Sequence, residues 1–213
     1  PERLVGAEFG ADLDLGENAR LRLTLFRNTV EDLVQNITRG QTGDAPGVVE
    51  PCGLIGPNET CRELDNVGEM RATGLELEAE YQPAPRWRLF ASYLFNDTEI
   101  TRAPDNPALV GNRVRQAPQH TLTARLRHDG RWFATSLQAR YVGERYEDDL
   151  NRLEVGDFLL FDLYLSRPLA AGGEIFLQVE NLLDEEYEVR VENNGSIEIG
   201  RSRFIGLGLR LRR

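Results

Sequence analysis

The sequence predicts an all-β fold, an antiparallel up-and-down transmembrane β-barrel. Three observations lead there. Apolar residues recur at every second position in about nine segments, as strands with one apolar face require, and helical periodicity is scarce. The connections alternate strictly between tight turns and long polar loops, an asymmetry that membrane barrels have and soluble sandwiches have no reason to adopt. The polar faces carry arginines and carboxylates in numbers that a soluble core would not hold.

The first strand places Val5, Ala7, Phe9, Ala11 and Leu13 on one face. After a turn at 16–18, Leu21, Leu23 and Leu25 oppose Arg20, Arg22 and Thr24, and the pattern blurs between Val30 and Ile37. A polar loop is expected over 38–65. The cleanest strand follows, with Leu75, Leu77, Ala79 and Tyr81 against Gly74, Glu76, Glu78 and Glu80. The chain turns at Pro83-Ala84-Pro85 and returns with Trp87, Leu89, Ala91, Tyr93 and Phe95. A loop over 97–117 leads to Leu122, Ala124 and Leu126. An Asp129-Gly130 turn then leads to Phe133, Thr135, Leu137, Ala139 and Tyr141. An acidic loop over 147–157 precedes Leu159, Phe161, Leu163 and Leu165. A turn at 168–172 precedes Ile175, Leu177 and Val179. A loop over 188–200 precedes Ile205, Leu207, Leu209 and Leu211.

Side-chain parity sets the register, because a slip of one residue sends every side chain to the opposite face. Odd-length turns keep the apolar positions odd in three hairpins. An even-length Asp-Gly turn switches them and pairs His128 with Arg131, Leu126 with Phe133 and Leu122 with Leu137. The same reasoning places Asp12 opposite Arg22 and Glu78 opposite Arg88, with Glu76, Glu78 and Glu80 beside Arg86 and Arg88. Such cross-strand opposite charges contribute about 0.2–1 kcal/mol each. Trp87 and Phe95, like Phe133 and Tyr141, are separated by about 19 Å of tilted strand, the spacing of two aromatic girdles around a lipid-facing band.

The chain is 28% charged with a net charge of −10, which argues against nucleic acid as a partner. No run reaches the length of a transmembrane helix, which says nothing against strands. Pro1-Glu2-Arg3 lacks the features of a signal peptide, so an exported protein would be expected to be longer than this chain. Cys52 and Cys61 lie in the first long loop, either as free thiols or as a disulfide. In an oxidising compartment the disulfide is expected, worth about 2–3 kcal/mol if unstrained. Zinc is not expected there, because His120 and His128 lie elsewhere.

The stretch Asn181-Leu182-Leu183-Asp184-Glu185-Glu186-Tyr187 follows an apolar strand, and Gly200-Arg201 opens the terminal one. This arrangement resembles the C-terminal end of TonB-dependent outer-membrane receptors. Pro1-Glu2, Asn66 to Gly74-Leu75-Glu76-Leu77-Glu78, Pro118-Gln119-His120 and Tyr141-Val142-Gly143 extend the resemblance over nearly the whole chain. It implies a 22-stranded barrel in the bacterial outer membrane, filled by an N-terminal plug. It also implies uptake of a scarce metal complex, a ferric siderophore first among them, driven by the TonB complex through the plug. Residues 1–213 would then be about nine C-terminal strands, an open half-barrel with Val5–Leu13 at one edge and residues 205–212 at the other. The implied partners are outer-membrane lipid, the TonB complex, the metal chelate and the barrel-assembly machinery, with no cofactor. The family usually ends in an aromatic residue read by that machinery. Arg213 stands there instead, which puts efficient assembly in question although an interfacial arginine can snorkel.

At the inferred extracellular ends, Arg102, Arg113, Arg115, Arg145, Tyr146 and Arg190 are expected to contact an anionic chelate. Two rival readings are a soluble ligand-binding β-barrel, whose apolar face would point inward, and an outer-membrane β-barrel enzyme. No nucleophile elbow, His-Glu-x-x-His or phosphate loop supports an enzyme. The carboxylates at 76, 78 and 80 read as a lumen ladder rather than an acid–base site.

Overall fold

Side-chain alternation in the sequence becomes one nine-stranded antiparallel sheet. The structure, a computed structural model, describes residues 2–169 and 172–211, so the centre of the 168–172 turn, Arg212 and Arg213 lie outside it. The chain forms β1 (Arg3–Asp14), β2 (Ala19–Gln41), β3 (Gly47–Val49), β4 (Gly53–Ile55), β5 (Thr60–Ala84), β6 (Trp87–Arg102), β7 (His120–Asp129) and β8 (Ala134–Val142). It continues as β9 (Arg145–Tyr146), β10 (Glu154–Val155), β11 (Phe158–Pro168), β12 (Gly173–Glu180), β13 (Glu188–Val191), β14 (Ile197–Ile199) and β15 (Phe204–Leu211). The sheet order is β1-β2-β5-β6-β7-β8-β11-β12-β15. β1 and β15 are its two edges and do not pair, so the barrel wall is open, as expected. The other strands form three small hairpins in the long connections.

Parity holds over the alternating segments of the nine-stranded sheet, and fails in the outer part of the β2–β5 ladder, where bulges shift the register. Leu23 faces Ala11 and Leu77, Leu89 faces Tyr81 and Leu126, and Leu177 faces Leu165 and Leu207. The apolar row is exposed, with Phe9 at 66% and Leu207 at 75%. The polar face is concave. Hollows of about 790 Å³ and 460 Å³ lie against it, lined by Arg20, Glu80, Arg88 and Arg125, and by Gln138, Asp162 and Glu180. An apolar exterior around a charged interior excludes the soluble-barrel reading, because the greasy face has only lipid to meet.

Four expected pairings need correction. The 16–18 turn places Asp12 opposite Arg22, as expected. Glu78, however, lies opposite Ser92, not Arg88, because the turn shrinks to Pro85-Arg86 and a bulge intervenes between Tyr81 and Ala84. The carboxylate ladder is therefore served from β2: Arg22 reaches both Asp12 and Glu78 at 2.8 Å, and Arg88 turns to Asp129 at 3.0 Å. At β7–β8 the loop holds four residues, closed by the Gly130 N–H to the Phe133 carbonyl at 3.0 Å. His128 consequently meets Thr135 rather than Arg131, Leu126 meets Leu137 and Leu122 meets Tyr141. A shift of four residues preserves parity, so the faces survive the error.

Strands also run further than their apolar pattern. β2 and β5 hold 23 and 25 residues, well beyond the 9–11 or so needed to cross a bilayer, and much of the loop expected over 38–65 is paired strand. β6 likewise invades the expected 97–117 loop as far as Arg102. Two histidines complete the girdles. His128 stacks on Trp87 at 4.2 Å between centroids, and His120 packs on Phe95 at 5.3 Å with its Nδ1 2.8 Å from the Tyr93 hydroxyl. Their role is interfacial packing.

Candidate functional site at the long-loop rim

All four long connections gather at one rim of the sheet and pack on each other there. A small apolar core of Ile37, Ile100, Ala103 and Leu109, with Val114 and Leu150 against it, lies under the loops. It is the buried hydrophobic cluster of the described residues. Apolar burial has therefore been concentrated where the chain leaves the lipid.

The connection over 143–157 carries three consecutive buried carboxylates, each with its own donors. Asp148 accepts the N–H groups of Arg152 and Leu153 at 2.8 and 2.9 Å and the Arg152 guanidinium at 3.0 Å. Burial pushes this carboxyl up, but the Leu153 and Arg152 donors outweigh it and hold it below the usual carboxylate range. Asp149 accepts the Thr38 N–H at 2.9 Å and its hydroxyl at 2.6 Å, and Glu147 accepts the Gln116 amide at 2.9 Å. Asn151 clamps the neighbouring connection, accepting the Arg113 N–H at 2.7 Å and donating to its carbonyl at 2.9 Å. These anchors escaped the sequence reading. The available signal was a run of acids followed by Asn-Arg, a pattern suited to capping its own backbone.

Two contacts show that the loops lean across the concave face. Asp149, in the loop leaving β8, touches Thr38 of β2, four steps away in the sheet order. At about 4.8 Å per strand that is roughly 19 Å of wall. Asn193, between β13 and β14, contacts Thr60 at the start of β5, although its loop leaves β12, five steps away. The hairpin tip between β2 and β5 is stapled by the Cys52–Cys61 disulfide, with Cα atoms 5.8 Å apart.

Of the residues expected to meet a ligand, Arg113, Arg145 and Tyr146 come together. The Arg113 guanidinium lies 5.9 Å over the Tyr146 ring and 3.2 Å from Glu144. One Nη of Arg145 donates to the Val189 carbonyl at 2.8 Å, and the other is buried with no partner among the described residues. Arg190 approaches Glu192 at 3.6 Å and opens on a hollow of about 340 Å³ shared with Arg62, Glu59, Glu147 and Asn193. Arg115 is half-buried between these groups along the chain, whereas Arg102 stands apart, at the end of β6 opposite Glu69. Two of these arginines, Arg113 and Arg190, are thus paired with neighbouring carboxylates.

The stretch Asn181–Tyr187 forms a clamp. Asn181 is 4% exposed with φ 51°; its amide donates to the carbonyls of Glu185 at 2.8 Å and Arg201 at 3.1 Å and accepts the Glu185 N–H at 2.9 Å. The Leu182 N–H is held by the Phe161 carbonyl at 2.6 Å, while the Leu183 side chain is exposed. Asp184 accepts the N–H and guanidinium of Arg203 at 2.8 and 3.0 Å, which hold its carboxyl below the usual range. The Tyr187 ring lies flat against Gly200, where a Cβ would sit 2.1 Å from it. Arg201 bonds Glu180 at 3.0 Å and covers the Phe204 ring at 4.1 Å. The clamp joins β12 to β15 and uses the polar groups of Asn181 and Asp184 internally.

A family profile described as TonB dependent receptor-like, beta-barrel matches residues 1–182. The chain belongs to that family. Among curated proteins, this TonB-dependent receptor segment is 33% identical over 131 residues to the ferrichrome outer membrane transporter/phage receptor of Escherichia coli K12, covering 56% of the chain and 17% of that protein. It is 29% identical over 161 residues to the pesticin receptor of Yersinia pestis, covering 70% and 23%. The crystal structure of the ferric yersiniabactin uptake receptor of Yersinia pestis superposes with a TM-score of 0.76 at 23% identity, over 99% of this chain and 30% of that one. The segment therefore spans about a fifth of the length of these curated relatives. Its wall is that of a bacterial outer-membrane barrel, and its relatives are receptors and transporters rather than enzymes.

Proposed function

We propose that this segment belongs to an outer-membrane receptor for TonB-driven uptake of a metal chelate of the ferric-siderophore class. The observation that carries the reading is the folding of the long loops across the charged concave face, where they border an open polar hollow lined by Arg62, Arg190 and Asn193. A wall that is apolar outside and charged inside suits a water-filled passage, and interlocked loops suit a recognition surface above it. The names of the relatives, receptors and transporters for iron chelates among them, support the same class.

In this reading outer-membrane lipid covers the apolar face, the barrel-assembly machinery inserts it, and the TonB complex acts through a plug inside the barrel. Arg102, Arg113, Arg115, Arg145, Tyr146 and Arg190 contribute hydrogen-bond donors to the chelate. The test is growth rescue by the full-length gene in an iron-limited strain stripped of its other receptors. Rescue by at least one ferric chelate is expected. Replacing all six residues by alanine should then weaken binding of the rescuing chelate at least tenfold; unchanged affinity would remove these residues from the site.

A further inference from the structure

Charge is distributed unevenly between the wall and the long connections. Residues 42–59, 103–119, 143–157 and 181–203 together carry 16 Asp or Glu and 7 Arg, a net −9 of the chain's −10. The strands and tight turns are close to neutral. The rim is therefore where the negative potential of this segment arises, and a cleft mouth of one sign repels solutes of that sign before contact.

The loop arginines do not offset this field, because most are already engaged. Arg113 pairs with Glu144, Arg152 with Asp148, Arg190 with Glu192, Arg201 with Glu180 and Arg203 with Asp184. Arg145 gives one Nη to a backbone carbonyl. The 340 Å³ hollow places Glu59, Glu147 and Glu192 beside Arg62 and Arg190, one carboxylate in excess, with Asn193 among them. A polyanion entering it would have to separate existing ion pairs and leave carboxylates facing like charge. A ligand without net negative charge keeps those pairs and still finds amide and guanidinium donors for its oxygens.

We infer that the receptor selects a ferric chelate that is neutral or cationic, as tris-hydroxamates are, and discriminates against polyanionic chelates such as tris-catecholates. Three hydroxamates give up one proton each and cancel a trivalent ion, whereas three catecholates give up two each and leave a trianion. This inference rests on the uptake reading above and refines its substrate class.

The experiment titrates purified full-length receptor with a neutral ferric tris-hydroxamate and with a ferric tris-catecholate, alongside growth rescue by each. Binding of the hydroxamate at least tenfold tighter is expected. Glu185, Glu186 and Glu198 are exposed and their carboxylates make no hydrogen bond within the described residues. The triple variant E185Q/E186Q/E198Q should narrow the gap about threefold by improving catecholate binding alone, since it changes only the screened field. Equal or tighter catecholate binding would overturn the inference and leave the uptake reading standing. A gap that the triple variant does not move would also overturn it, because the cause would not be the loop field. If neither probe binds and no ferric chelate rescues growth, the uptake reading itself fails and this inference with it.

Discussion

Gly200 shows how much one side chain can decide. The Tyr187 ring occupies the place where a Cβ would stand, and the Gly200 N–H is held by the Tyr187 carbonyl at 2.8 Å, so neither partner can simply step aside. Gly200→Ala is expected to destabilise the β12–β15 connection by about 1–3 kcal/mol, the usual cost of overpacking. The additional change Tyr187→Ala should return part of it. Heat-modifiable electrophoretic mobility of the full-length receptor reads both. Asp148 makes a prediction about pH. Its folded pKa is depressed, so its contribution is complete above the unfolded value near 3.8 and is lost as pH falls through the lower, folded one. Proteolytic protection of the 143–157 loop should therefore persist through mild acid and fail only below that range. Asp148→Asn should lose protection already at pH 7.

At the level of elements, the rim is held by cross-links between connections rather than by strand pairing. Asp149 carries two of the bonds that join the loop leaving β8 to β2. Asp149→Ala strands the Thr38 N–H and hydroxyl in a half-buried setting, at a cost of about 1–3 kcal/mol. Hydrogen exchange should then accelerate in residues 143–157 and at Thr38 while β6–β8 stay protected. The Cys52–Cys61 staple acts more locally. It ties the segment that carries β4 to Cys61, at the paired start of β5. Reduction should expose that segment to protease and leave the nine-stranded sheet unchanged by circular dichroism. Slowed exchange at both sites instead would mean that the loops pack differently.

For the whole molecule, the decisive fact is an exposed apolar face. Ile205, Leu207, Leu209 and Leu211 on β15, and Val5 and Phe9 on β1, are all more than half exposed. Both strands also present unpaired backbone on their outer edges. In lipid each such unsatisfied group costs several kcal/mol, and in water the same surface associates. Residues 1–213 reconstituted by themselves into liposomes are expected to take up no ferric chelate, and to aggregate once detergent is removed. Chelate uptake by such liposomes would refute the open-wall account.

Alternation along the chain determined by itself the fold class, the number of sheet strands, the side to which each side chain points and the rim at which the long loops collect. These follow from the two-residue period, which any register of correct parity satisfies. The order of Leu75, Leu77 and Ala79 therefore located a face but not a partner. Tertiary structure alone decided that Glu78 faces Ser92 and that the β7–β8 loop is four residues long, because bulges and turn lengths shift the ladder in steps that parity cannot detect. It also decided the rim. Glu147, Asp148 and Asp149 read only as the start of an acidic loop in the sequence, yet they are buried anchors, since their donors come from Gln116, Arg152, Leu153 and Thr38 on both near and distant segments. A one-dimensional pattern carries the period of a strand; it does not carry which loops close across the barrel mouth.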